Sequence, residues 1–376
     1  MDMIRLSVIS TILLTALGAD ANVLMTDAPL DLDGRLDEPV WKSVRWEGDF
    51  LVPNARKDPG GTRTPQCKTE FAILADANNV YVGIRAYHDG MAYMKTMPRN
   101  SMWGAEGVEI YFNPDGTAFD FYQFLVTYQG DSYAMFFSES GNIRPDPYGP
   151  VWEHRIADTD YGYSVEVKFP LSAFYMTRNA HWTDRWLVNV GRALRTPRIK
   201  RKGDPCEYSS WCDVEAQFAE TKRFRTLAGF PSRRRTEDVL IRSARADFTG
   251  LRDGRPVGSI RLKAFAGEGG EVDVTSPYSE PVRVTLREGE NEIALPAVFP
   301  ENARHSTRFG VRRADGTLCE RFFPLLVDYR PIYVTLTKPS FRGNFYPGQD
   351  ASRVEGSVKV VSGSVAEVRL VGPGFA

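Results

Sequence analysis

Over the first 230 residues, apolar and polar positions alternate in short runs, and Gly, Pro, Asn and Asp break the runs every few residues. That spacing predicts strands and turns. "KTEFAILAD" (68–76), the turn "ANN" and "VYVGIRAYHD" (80–89) read as a hairpin. "GVEIYFNPDG" (107–116), "FYQFLVTYQGDSYAMFF" (121–137) and "RWLVNVGRALRT" (185–196) read as further strands. In "YSVEVKFPLSAF" (163–174), Tyr163, Val165, Val167 and Phe169 fall on one face and Ser164, Glu166 and Lys168 on the other, until Pro170 ends the run. Within 108–112, Val108, Ile110 and Phe112 share one face while Glu109 and Tyr111 share the opposite one. No long stretch keeps a helical period.

"PSRRRTED" (231–238) is polar and charged and reads as a linker. A second β pattern follows it, in "VGSIRLKAFAG", "GEVDVTS", "EPVRVTLREGENEIALP", "TRFGVRRADG" and "LCERFFPLLVDY". Its spacing and turns fit an immunoglobulin-like sandwich. From Arg330 onward about three more strands are expected, too few for an independent sandwich. The expected fold class is therefore all-β. Residues 1–21 form a signal peptide, 22–232 a first β-sandwich and 233–329 an immunoglobulin-like β-sandwich. Residues 330–376 begin a further, incomplete β domain.

The opening "MDMIRLSVISTILLTALGADA" explains the first of these ranges. Arg5 heads an apolar run from Leu6 to Leu17, and Ala19-Asp20-Ala21 supplies the small residues of a cleavage site after Ala21. The run is too short to span a bilayer, which takes about 20 residues. The expected location is secreted, periplasmic or extracellular. Charge is balanced, 47 Lys+Arg against 48 Asp+Glu, which argues against a nucleic-acid partner. Export makes disulfides an option. Of Cys67, Cys206, Cys212 and Cys319, the pair Cys206/Cys212 flanks "EYSSW" closely enough to staple that loop or to stay unpaired.

Catalytic signatures are missing. His88, His154, His181 and His305 show no metalloprotease spacing, and neither a nucleophile elbow nor a phosphate-binding glycine loop occurs. A glycosidase needs only two facing carboxylates, so 48 acidic residues leave that reading open. No cofactor is required by the pattern. Calcium is one reading of the oxygen-rich turns that hold Asp31, Asp33 and Asp37, and Asp115 and Asp120; ordinary turn chemistry is the other. "HDGMAYMKTMPRNSM" combines His88 with Met91, Met94, Met97 and Met102, which are either soft donors for haem iron or gap-filling side chains.

Several segments together are similar to one family. "LDLDGRLDEPVWKSV", "FAILADANNVYVGIRAYHD", "WGAEGVEIYFNP", "YSVEVKFPLSAF", "WLVNVGRALR" and "YSSW" resemble, in order and approximate spacing, the family 9 carbohydrate-binding modules over about residues 23–230. The resemblance implies a β-sandwich that holds a terminal sugar ring between two tryptophans. Trp103, six residues before Glu109, matches the first, and Trp211 the second. Glu109 then accepts hydrogen bonds from sugar hydroxyls, with Gln123, Tyr208, Asn189 and Arg192 as further contacts; stacking of Arg192 on Trp211 is the other role open to that arginine. The chain departs from the family in carrying Glu106 where Asp is common, Gln123 where a basic contact is expected, and Tyr208 where an amide can stand.

The expected function is a secreted carbohydrate-binding module, with an oligo- or polysaccharide as partner, supporting an attached or companion glycoside hydrolase. Two alternatives remain open at this point: a glycoside hydrolase acting through paired carboxylates, and a cell-surface adhesion or assembly protein.

Overall fold

The computed structural model describes residues 23–28, 30–57, 61–97, 102–138, 148–176, 182–198, 206–232, 239–316, 318–338 and 354–361, with Trp103 and Ser138 described for their backbone only. The expected signal peptide and most of the charged stretch 231–238 lie outside these residues.

The first β unit carries β1 (Val23–Met25), β2 (Thr69–Ala75), β3 (Asn79–Tyr87), β4 (Gly107–Asn113), β5 (Asp120–Thr127), β6 (Ser132–Ser138), β7 (Glu153–Thr159), β8 (Gly162–Pro170), β9 (Arg185–Leu194), β10 (Glu207–Ser210) and β11 (Arg225–Ala228). They form two sheets. One has the order β1-β2-β3-β8-β7; the other runs β10-β9-β4-β5-β6, with β11 also paired to β9. The predicted hairpin is β2–β3, antiparallel from Thr69↔Ala86 to Ala75↔Val80. Between the sheets lies an apolar core that includes Phe71, Val82, Ile110, Phe112, Phe124, Val165, Phe169, Trp186 and Val190. Alternation along each strand sends these side chains inward.

The first sheet is covered on its other face as well. Leu36 and Trp41 pack with Ala72, Leu74 and Tyr81 in a second, smaller core. A Cβ on Gly83 would come within 2.8 Å of Leu36 and 2.9 Å of Trp41, so only glycine admits this layer. The covering segment explains Glu166. Strand alternation turns it away from the main core, yet it is fully buried, and its Oε2 accepts the Gly34 N–H at 3.1 Å.

The second β unit comprises β12 (Val239–Arg252), β13 (Arg255–Ala266), β14 (Gly270–Ser276), β15 (Ser279–Leu286), β16 (Gly289–Val298), β17 (Ala303–Arg313) and β18 (Leu318–Val327). Its sheets are β12-β13-β16 and β15-β14-β17-β18. Seven antiparallel strands in two sheets around one core (Ile260, Leu262, Leu295, Phe309, Leu325) make an immunoglobulin-like sandwich. The two units touch where the Phe322 N–H donates to Gly149 O at 2.7 Å and the Arg321 guanidinium lies 4.3 Å from the Tyr175 ring centre. A last ribbon pairs β19 (Ile332–Lys338) with β20 (Glu355–Val360). Of the strands expected after residue 330, these two fall on described residues.

Candidate functional site

The outer face of the β10-β9-β4-β5-β6 sheet carries a cleft of about 790 Å³. Its floor follows from register. Tyr111 on β4 faces Gln123 on β5, and Gln123 faces Met135 on β6. Glu109 is diagonal to Gln123, within reach of a long side chain. Gln123 Nε2 donates to Glu109 Oε2 at 2.7 Å, and the Tyr111 hydroxyl donates to the same oxygen. Burial pushes the Glu109 carboxyl above its usual range, and these two donors offset the rise only in part.

Aromatic rings surround this acid. Phe121 and Phe137 stack at 4.8 Å, Phe119 is 71% exposed at the edge, and Tyr208 on β10 meets Phe218 edge-on at 5.9 Å. The Arg56 guanidinium lies 4.4 Å over the Tyr208 ring. The wall formed by the segment after β10 is held by Glu220, which accepts N–H groups from Glu215 (2.8 Å), Ala216 (2.7 Å) and Gln217 (3.0 Å). Burial raises the Glu220 pKa, but these bonds and Arg223 bring it below the ordinary value. Phe218 lies over Gly191, where a Cβ would fall 2.4 Å from its ring. Apolar and aromatic walls with a few convergent polar groups are the usual makeup of a ligand site.

Of the residues expected from sequence, Glu109, Gln123 and Tyr208 line this cleft together. Trp211 does not. It is 2% exposed and part of the main core, with Phe71 packed against it at 5.0 Å and Arg225 at 4.0 Å over its ring. The expected pair of opposed tryptophan plates is corrected on this side. Trp103 lies in the 3-10 turn Met102–Gly104 just before β4, and its side chain is outside the described residues.

Asn189 and Arg192 also differ from expectation, because both are fully buried and consumed by structural bonds. Asn189 donates to Phe218 O (2.9 Å) and accepts from Ser210 Oγ and Cys212 N (both 3.0 Å). Arg192 forks onto Glu106 Oε1 (2.9 and 2.8 Å) and donates to Lys68 O and Tyr87 O. Arg225, not Arg192, stacks on Trp211. The sequence reading missed Tyr111, Phe119, Phe121, Phe137, Phe218 and Arg56. Tyr111 was legible, since it shares a strand face with Glu109; Phe218 and Arg56 reach the cleft from distant loops and left no local signal.

Among the calcium candidates, three side chains accept local hydrogen bonds. Asp115 Oδ1 accepts from Asn113 Nδ2 and Thr117 N, Asp120 Oδ1 accepts from Asn113 Nδ2, and Asp33 Oδ1 accepts from Arg35 N. Asp31 and Asp37 are exposed. Among the described residues no three His, Cys, Asp or Glu gather as a metal-holding group. His88 binds backbone through both ring nitrogens, Nε2 at Arg195 O and Nδ1 at Gly90 N, so neither is presented to a haem iron. No disulfide joins the four cysteines, and Cys206 and Cys212 are both buried.

The fold and this cleft define a β-sandwich domain with an aromatic-lined groove on one sheet. Residues 32–190 match the family model described as carbohydrate family 9 binding domain-like, which supports the family resemblance read from the sequence over that part of the chain. A search of curated proteins finds no match. Among solved structures, the chain is similar to a family 9 carbohydrate-binding module from Caldicellulosiruptor kristjanssonii in complex with glucose, at 14% identity over 55% of this chain and 93% of that one, with a TM-score of 0.37. A putative carbohydrate-binding protein from Bacteroides uniformis gives 14% identity over 55% and 96%, with a TM-score of 0.40. Likeness at this level carries no argument of its own. No helix among the described residues is long and apolar enough to cross a membrane, which says nothing of strands.

Proposed function

We propose that the cleft binds carbohydrate, with Glu109 and Gln123 as its polar floor and Phe119 and Tyr208 among its aromatic walls. The observation that carries this is the Glu109–Gln123 pair, 2.7 Å apart, at the bottom of an aromatic groove in a domain that matches a carbohydrate-binding family. Sugar rings present C–H faces that pack on aromatic rings and vicinal hydroxyls that donate to a carboxylate. Bonds to a charged acceptor are the stronger kind. Trp103 stays in the proposal as a second ring face through its spacing to Glu109 and the family resemblance. Trp211 does not. Affinity per site is weak to moderate, because each sugar hydroxyl exchanges water for protein at small net gain.

Export, supported by the signal-peptide pattern of residues 1–21, and support of polysaccharide breakdown by an attached or companion glycoside hydrolase belong to the same proposal. Exposure of the full chain to an oligosaccharide array tests it: retention of one or more glycans that the Gln123→Ala variant fails to retain supports the cleft, and retention of none refutes it.

A further inference from the structure

Glu109 is 9% exposed, and both of its hydrogen bonds fall on one oxygen, Oε2. Oε1 takes no hydrogen bond from the described residues, and no described lysine or arginine balances the charge of this carboxylate. Its neighbours on β4 and β5 are the neutral donors Tyr111 and Gln123. The other charged groups of the cleft are turned to other tasks. Arg223 pairs with Glu220 at 3.2 Å and donates to Asp213 O at 3.0 Å, Glu220 caps three backbone N–H groups, and Arg56 lies on the Tyr208 ring. Lys222 stands exposed in the wall. The cleft therefore ends in a nearly buried acid with one oxygen left for a ligand.

A ligand seated over Glu109 strips away its remaining water. With a hydroxyl as partner, the charge becomes drier and stays uncompensated, which is costly. With an ammonium as partner, the same step makes a charge-assisted hydrogen bond and neutralises the acid. We propose that the cleft selects an amino sugar, whose protonated amine sits on Glu109 Oε1 while a neighbouring hydroxyl donates to the Gln123 carbonyl oxygen. This rests on the carbohydrate reading of the cleft and narrows it to a cationic class.

The two ligand types have opposite proton linkage. A neutral sugar drives Glu109 to take up a proton, so its affinity rises as pH falls. An amino sugar needs the ionised acid, so its affinity rises with pH as the raised Glu109 carboxyl ionises, for as long as the amine stays charged.

The test titrates the full chain with three oligosaccharides of equal length and linkage, built from glucosamine, N-acetylglucosamine or glucose. The expected result is that the glucosamine form binds roughly tenfold more tightly than either neutral form, that its affinity rises with pH, and that Glu109→Gln removes the preference. Acetylation of the ligand makes the same comparison without altering the protein. If a neutral form binds as tightly as the amine, or the preference survives in Glu109→Gln, the amino-sugar inference is overturned while the carbohydrate reading stands. If none of the three binds, the amino-sugar inference is overturned, and retention of no glycan on the array then overturns the carbohydrate reading as well.

Discussion

The Arg225 guanidinium lies 4.0 Å over the Trp211 ring, and Phe71 packs against the same indole at 5.0 Å in T-shaped geometry. Trp211 is thereby a core residue whose loss opens a cavity. Trp211→Ala is expected to cost about 3–5 kcal/mol of stability, measured by denaturant unfolding of the first β unit within the full chain. Trp211→Phe, which keeps an aromatic ring, should cost less and leave ligand affinity unchanged.

Arg192 and Glu106 form a fully buried ion pair that ties β9 to the turn preceding β4. Removing one partner strands the other charge. Arg192→Met is expected to lose about 3–5 kcal/mol. The double variant Arg192→Met/Glu106→Gln should recover part of that loss, because the pair is coupled and its single costs do not add. Equal losses in the single and double variants would show that the charge left behind is not what destabilises the fold.

Glu166 gives the fold a pH dependence. Burial, with Glu38 and Asp33 nearby, pushes its carboxyl from 4.5 up to about 7, although the Gly34 N–H favours the charged form. Between these values the folded protein holds a proton that the unfolded chain has released, so this group's contribution to stability falls as pH rises through that window. Thermal unfolding of Glu166→Gln against wild type should show the variant gaining on wild type from about pH 5 to pH 8. A difference independent of pH across that range contradicts the assignment.

Cys212 donates to Val188 O at 3.3 Å, and burial pushes its thiol up to about 12. With no disulfide between Cys206 and Cys212, a thiol reductant should leave the melting temperature unchanged. Alkylation at mildly alkaline pH should leave Cys212 unmodified in the folded protein and modify it after denaturation.

Much of this architecture was legible as alternation. The β2–β3 hairpin, the strands on either side of Glu109 and the opposed faces of 163–169 follow from period-two patterning, because one face of each strand meets the same core. Glu109 and Gln123 were readable as a pair once adjacent strands were placed. Trp211 was not, because the groups that close over it, Phe71 and Arg225, come from other parts of the chain. The burial of Glu166 was hidden for a related reason: its strand face is polar by pattern but covered by the segment carrying Leu36 and Trp41. Asn189 and Arg192 have ligand-binding chemistry, yet their partners are backbone groups and Glu106, which no local spacing reveals.

The central claim is that Glu109 and Gln123 grip a saccharide at the floor of this cleft. Calorimetric titration of wild type, Glu109→Ala and Gln123→Ala with an oligosaccharide retained on the array measures it directly. The account predicts that wild type binds, that each substitution weakens affinity roughly tenfold or more, and that the folded state of both variants persists by circular dichroism. Folded variants that bind the sugar as tightly as wild type would contradict it.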